Sequence, residues 1–95
     1  METVSGIAVR REDLISIRSF DGRMRLFYVT STKGSDYFYG YRVNRDFSIN
    51  LRDKRRQTAK CFSYYPSDEI MIVNPVPDAF KEAVRILHFW VEDVL

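Results

Sequence analysis

The sequence predicts a single mainly β (α+β) domain, a small and strongly bent antiparallel barrel closed by a C-terminal amphipathic helix. Three observations predict it. Short stretches alternating apolar and polar residues recur between turn signals from Leu14 to Val73, the pattern of successive half-buried strands. After Pro77 the apolar spacing changes from two to between three and four, the period of a helix. A chain of 95 residues with 45% hydrophobic content is large enough for one core and too small for two domains.

In chain order, residues 1–6 are small and polar and are expected to fray. From Ile7 to Asp13 the pattern is ambiguous between a short helix and a first strand, because Arg10, Arg11, Glu12 and Asp13 interrupt it. Leu14 to Phe20 alternates and reads as a strand. Asp21-Gly22 then signals a tight hairpin turn of type I′, which needs positive φ at both central residues. Arg23 to Thr32 becomes wholly apolar at Phe27, Tyr28 and Val29, as expected of a strand in the middle of a sheet. Lys33-Gly34-Ser35 marks the next turn.

The following strand, Tyr37 to Val43, carries the strictest alternation. It puts Tyr37, Tyr39, Tyr41 and Val43 on one face and Phe38, Gly40 and Arg42 on the other. Asn44-Arg45-Asp46 bends the chain before a short apolar run, Phe47 to Leu51. Thr58 to Tyr65 and Ile70 to Val73 are further strand candidates. From about Asp78 to Val94, a capping aspartate precedes Phe80, Ala83, Val84, Leu87, Trp90, Val91 and Val94 at helical spacing. Ile86 and Trp90 widen this apolar face beyond what a sheet needs, so its surplus either closes one end of the barrel or meets a second copy of the chain.

Charge is distributed unevenly. Up to Ser67 there are 13 Lys and Arg against 7 Asp and Glu, and thereafter 2 against 6. Eleven of the cations are Arg, whose planar fork suits phosphate, carboxylate or a nucleobase. The alternative is that these side chains simply solvate strand faces. Cys61 is the only cysteine, which excludes an internal disulfide and a cysteine metal cluster, and its alternating surroundings predict a buried small hydrophobe. No metal and no cofactor are expected. No apolar run is long enough for a membrane span, no charged region followed by an apolar stretch opens the chain, and the expected location is cytoplasmic.

Catalytic chemistry finds little material. His88 is the only histidine and falls on the polar arc of the helix, the four glycines are scattered, and the acid pairs Glu12-Asp13, Asp68-Glu69 and Glu92-Asp93 sit in turns or helix ends. A non-enzymatic role is therefore expected. The richest stretch for binding runs from Asp36 to Arg56. There the tyrosine row Tyr37, Tyr39 and Tyr41 could stack bases while Arg42, Arg52, Lys54, Arg55, Arg56 and Lys60 draw in phosphates. The competing reading makes the tyrosines ordinary cross-strand packing residues.

Tyr39-Gly40, Asp46 and Asn50-Leu51 resemble the first motif of Sm and Lsm proteins, with an aspartate six positions after the glycine and an asparagine ten after it. Ser67-Asp68-Glu69-Ile70-Met71-Ile72-Val73 is similar to the end of that family's second motif. The resemblance covers about Leu26 to Val73. It implies a bent five-stranded sheet, assembly into homo-oligomeric rings, and RNA bases held near Asp46 and Asn50. A second outline, Asp21-Gly22-Arg23, Tyr37-Phe38-Tyr39-Gly40-Tyr41, Thr58-Ala59-Lys60-Cys61-Phe62 and Ile70, resembles WYL domains, which sense nucleotides or nucleic acid. Both belong to small Sm-like or SH3-like barrels. The expected function is a binding module for single-stranded RNA or a nucleotide. Its rival is a protein-interaction module, a small inhibitor or adaptor, using the same Tyr and Arg surface.

Overall fold

The computed structural model describes residues 8–32, 37–49 and 60–94. Five strands form one antiparallel sheet: β1 (Leu14–Arg18), β2 (Met24–Thr32), β3 (Tyr37–Val43), β4 (Lys60–Ser63) and β5 (Glu69–Ile72), followed by helix α1 (Asp78–Val94). Their order across the sheet is β4-β3-β2-β1-β5. The apolar run of β2 thus occupies the central place that its sequence predicts. β4 and β5 stand at opposite ends of this order, so the ladder among the described residues is an open sheet. The run expected as a strand from Phe47 is reduced there to a single bridge between Val43 and Ile49. Residues 1–6, the Lys33-Gly34-Ser35 turn, Leu51 and Thr58 lie outside the described residues.

The alternation of the central strands divides the interior in two. Ile15, Ile17, Phe27, Val29, Phe38 and Ile70 fill one face, joined by Val9 and Tyr64. Phe27 meets Phe38 edge-on, with ring centroids 5.4 Å apart at 76°. The opposite face carries Leu14, Tyr28, Val43 and Ile49, against which α1 lays Phe80, Ala83 and Leu87. Each fully buried Val, Leu, Ile or Phe among them contributes about 1.5–3 kcal/mol through burial. Both faces are needed because β2 is apolar on both sides, and a sheet left bare on one side would expose Tyr28 and its neighbours. Pro77 accepts the first helical hydrogen bonds from Phe80 and Lys81, both 3.1 Å. Asp78 is then the first helical residue, where its charge complements the helix N-terminus.

The turn after β1 differs from expectation. The Gly22 amide donates to the Ser19 carbonyl, and the Ser19 amide to the Arg23 carbonyl, both at 2.9 Å. Only Gly22 has positive φ, at 88°. This is a type I turn closed by a left-handed residue, a three-residue loop, and not the two-residue type I′ turn. The turn after β3 repeats the pattern. Phe47 donates to the Asn44 carbonyl at 2.9 Å, and Asn44 to that of Ser48 at 2.8 Å. Here the left-handed position is held by Phe47, with φ of 67°.

Ile7 lies outside the described residues, and of the rest of the ambiguous segment Ala8 makes an isolated β-bridge while residues 9–13 form neither helix nor strand. Asp13 closes a turn by accepting the Arg10 amide on its carboxylate at 2.8 Å. Glu12 donates to the Val29 carbonyl at 2.7 Å while Val29 donates to that of Asp13 at 2.9 Å, so two residues oppose one. Glu12 sits in this bulge with φ of 75°, where glycine is the usual occupant. A second irregularity falls in β2 at Thr30, whose hydroxyl donates to the Tyr39 carbonyl at 3.1 Å. Cys61 corrects another expectation, because it is exposed. It pairs with Tyr39 on the sheet's end strand, and the neighbouring Phe62 is the residue that turns inward to pack on Phe27 and Phe38.

Candidate functional site

The three tyrosines of β3 share the helix-bearing face with Val43, as their alternation requires, and each is half-buried. They do not lie as parallel plates. Tyr37 and Tyr39 meet edge to face, with centroids 6.4 Å apart and planes at 79°, so one ring's face is covered by the other's edge. Tyr41 packs against the core beneath α1. Burial pushes its phenol pKa upward. Arg42 is exposed on the opposite face of the strand.

The turn after β3 positions Asp46. Its carboxylate accepts the Ser48 hydroxyl at 2.6 Å and the Ser48 amide at 3.0 Å. Those two bonds, the hydroxyl first, hold Asp46 below the usual carboxylate range. Asn44 adds a side-chain hydrogen bond to Ser48 at 3.0 Å. Asp46 therefore organises its own loop. Asn50, Arg52, Lys54, Arg55 and Arg56 lie outside the described residues, as does the side chain of Lys60.

What the structure assembles is a groove at the end of the sheet where these two turns project. It encloses about 1000 Å³, and Arg23, Arg25, Arg42 and Arg45 line it. Its apolar part comes from Met24, Leu26, Val43, Phe47 and Val73. Register explains the convergence. Phe27 pairs with Arg42 and Leu26 with Val43, so Arg25 and Arg42 are diagonal neighbours on one face, while Arg23 and Arg45 belong to the two adjacent turns. Arg23 approaches Asp21 at 3.7 Å, and Arg25 lies over the Phe27 ring at 5.7 Å. Among the described residues no carboxylate pairs with Arg25, Arg42 or Arg45. Three exposed arginines and the half-buried Arg25, with one weakly placed acid, make a positive concavity able to take several phosphate oxygens or a carboxylate.

Of the residues expected from sequence to bind, Arg42 is in the groove, Asp46 is in the turn that bounds it, and the tyrosines are on the other side of β3 from Arg42. Sequence reasoning does not single out Arg23, Arg25 and Arg45. Their signal is the alternation of Arg23 and Arg25 before β2's apolar run, combined with the hairpin pairing that brings β3 alongside.

No family description, characterised protein or solved structure matches this chain. Among the described residues, no helix is long and apolar enough to cross a membrane, and no group of three His, Cys, Asp or Glu could hold a metal ion.

Proposed function

We propose that this chain is a non-enzymatic binding module for a phosphate-bearing ligand, single-stranded RNA or a nucleotide, held at the groove between the turns after β1 and β3. The observation that carries the reading is the convergence of Arg23, Arg25, Arg42 and Arg45 on one concavity that also offers an aromatic residue, Phe47. Phosphates are drawn by the guanidiniums, and a base finds apolar surface on Phe47, Met24 and Leu26. The basic run Arg52, Lys54, Arg55, Arg56 and Lys60 follows this turn in sequence. Tyr37 and Tyr39 offer a further aromatic surface toward the far end of β3. The proposal includes the strongly bent, Sm-like curl of the sheet. It is supported by the enclosed set Val9, Phe27, Phe38, Tyr64 and Ile70 on one face and by the bulge at Thr30.

Fluorescence anisotropy with labelled single-stranded RNA, single-stranded DNA and mononucleotides, at two salt concentrations, tests the proposal. Binding that weakens steeply and linearly on a logarithmic salt axis is the expected result. Absence of binding to all of them at low salt would sink it.

A second reading, a protein-interaction module, is favoured by the methionines on the helix-bearing face. Met24, which lines the groove, and Met71, which pairs with Ser16, are 56% and 54% exposed, and methionine surfaces adapt to peptide partners. On α1, Phe89 is 67% exposed, which makes a second copy of the chain one candidate partner. Light scattering that returns a monomer mass at micromolar concentration would remove self-association. A peptide interface of this kind would respond far less to salt.

A further inference from the structure

We propose that the cleft between α1 and the sheet, walled by Glu12, Tyr28 and His88, is a separate ligand site. Its ligand is a small zwitterion with an apolar body, the chemistry of an apolar amino acid. Two adjoining cavities of about 120 and 360 Å³ share those three walls. The smaller is completed by Arg11, Thr30, Tyr41 and Leu87. The larger is completed chiefly by Val76, Phe80 and Val84. A dry apolar cavity of about 150 Å³ is enough to admit benzene, so the larger lobe accommodates a ring or a branched chain.

The charges select the head group. Glu12 lines both lobes and Arg11 the smaller one, each at an exposed position that gives the cleft a charged rim. Lys81, at the rim of the larger lobe, already lies 3.8 Å from Asp78. Among the described residues, no ion pair joins Glu12 or Arg11 to any partner, so a negative and a positive residue line the same cleft without pairing with each other. A ligand with an ammonium and a carboxylate satisfies both. One with a single charge engages only one of them and forgoes the second charge-assisted contact.

Backbone hydrogen bonds and a ring contact hold two of the walls in place. Glu12 is fixed in its left-handed bulge by its own amide on Val29 and by the Val29 amide on Asp13. A residue held in that conformation where glycine is easier is a common mark of a functional position. Tyr28 is buried, its ring edge against Phe80 at 5.6 Å and its hydroxyl 3.4 Å from Nε2 of His88.

Calorimetric titration of the full chain with phenylalanine, phenethylamine and hydrocinnamate separates the ligand classes, because the last two keep only the ammonium or only the carboxylate. Phenylalanine is expected to bind saturably and at least about tenfold more tightly than either analogue. Glu12→Gln should weaken phenylalanine about tenfold and leave hydrocinnamate unchanged, while Arg11→Gln, at an exposed position, should weaken phenylalanine and hydrocinnamate but not phenethylamine. Circular dichroism of both variants confirms that the fold is retained. The proposal is overturned if phenylalanine does not saturate, if either analogue matches it, or if folded Glu12→Gln binds it as the parent does.

Discussion

The carbonyl oxygen of Tyr28 occupies the space in which a β-carbon on Gly40 would lie. Gly40 pairs with Val29 on one side and Lys60 on the other, so the overlap falls inside the sheet, next to the irregularity at Thr30. The obstacle is backbone, which cannot swing aside as a side chain would. Gly40→Ala is therefore expected to cost about 3 kcal/mol, at the upper end of overpacking effects, even though alanine is ordinarily the better strand residue. A melting temperature unchanged from the parent would show that the two strands are not in this register.

Phe47 and Gly22 hold the same place in two turns with the same hydrogen bonds, and only Gly22 is at ease there. The comparison of two variants isolates the backbone contribution. Both Phe47→Ala and Phe47→Gly remove the same ring, but glycine alone relieves the left-handed conformation, so the glycine variant should be more stable by about 1 kcal/mol. In an ordinary strand or helix position the order is reversed. Urea titration of the pair reads the sign directly, and alanine equal to or better than glycine would contradict the φ of this residue.

Leu87 is buried between α1 and the sheet, packed in the set that contains Leu14, Tyr28 and Phe80. Leu87→Ala should cost about 2–4 kcal/mol through reduced burial and the cavity left behind. In a chain this short that lowers the melting temperature by about 10 °C or more. Retention of the parent's melting temperature would mean that α1 does not cover this face.

The pH dependence follows from Tyr28 and Asp46. Burial, and next the nearby Glu12 carboxylate, raise the Tyr28 pKa above its ordinary value of 10.0. A raised folded-state pKa gives stability that is complete below the unfolded value and is lost as pH climbs through the folded one. Stability should thus fall above about pH 10, and Tyr28→Phe should make that alkaline decline shallower. Asp46 works in the opposite sense. Its depressed pKa gives stability that is present above the ordinary value of 3.8 and is lost as pH falls below it, so Asp46→Asn should flatten the acid limb. Melting curves across both limits check the two slopes, and a parallel shift of the whole profile would contradict either assignment.

The sequence reveals elements wherever one periodicity dominates. The alternation of Leu14 to Phe20, of Arg23 to Thr32 and of Tyr37 to Val43, and the helical spacing after Pro77, each reappear within a few residues of their expected bounds. What eludes it is the left-handed backbone at Glu12 and Phe47, since neither residue type announces such a conformation: Glu12 adopts it in a bulge paired with the distant Val29, and Phe47 in a turn where glycine is the usual occupant. The groove is hidden for a related reason. Arg23 and Arg25 are separated from Arg42 and Arg45 by 17 or more positions, and only the β2–β3 register makes them neighbours. The tyrosine row, conspicuous in sequence, turns out to be half-buried, because its strand face is the one that α1 partly covers.

That separation of faces sets the last prediction. If phosphates bind at the groove, Arg42→Ala combined with Arg45→Ala should weaken all single-stranded sequences alike. The salt slope should become shallower by about 0.7 for each phosphate that is no longer neutralised. Asp21→Asn should act in the opposite direction, because it removes the acid that lines the groove beside Arg23. Arg85→Ala supplies the control: this residue is on α1, engaged with Glu82 at 3.0 Å, and should alter neither affinity nor slope. Tyr39→Ala tests the other side of β3, where loss of a stacked base should cost about 1–3 kcal/mol with the slope intact. If Tyr39→Ala weakens binding and the double arginine variant does not, the ligand lies on the tyrosine face and the groove is not the site. If the arginine pair and Arg85→Ala weaken binding equally, attraction is diffuse over the basic surface, and the convergence of four arginines on one concavity has no bearing on recognition.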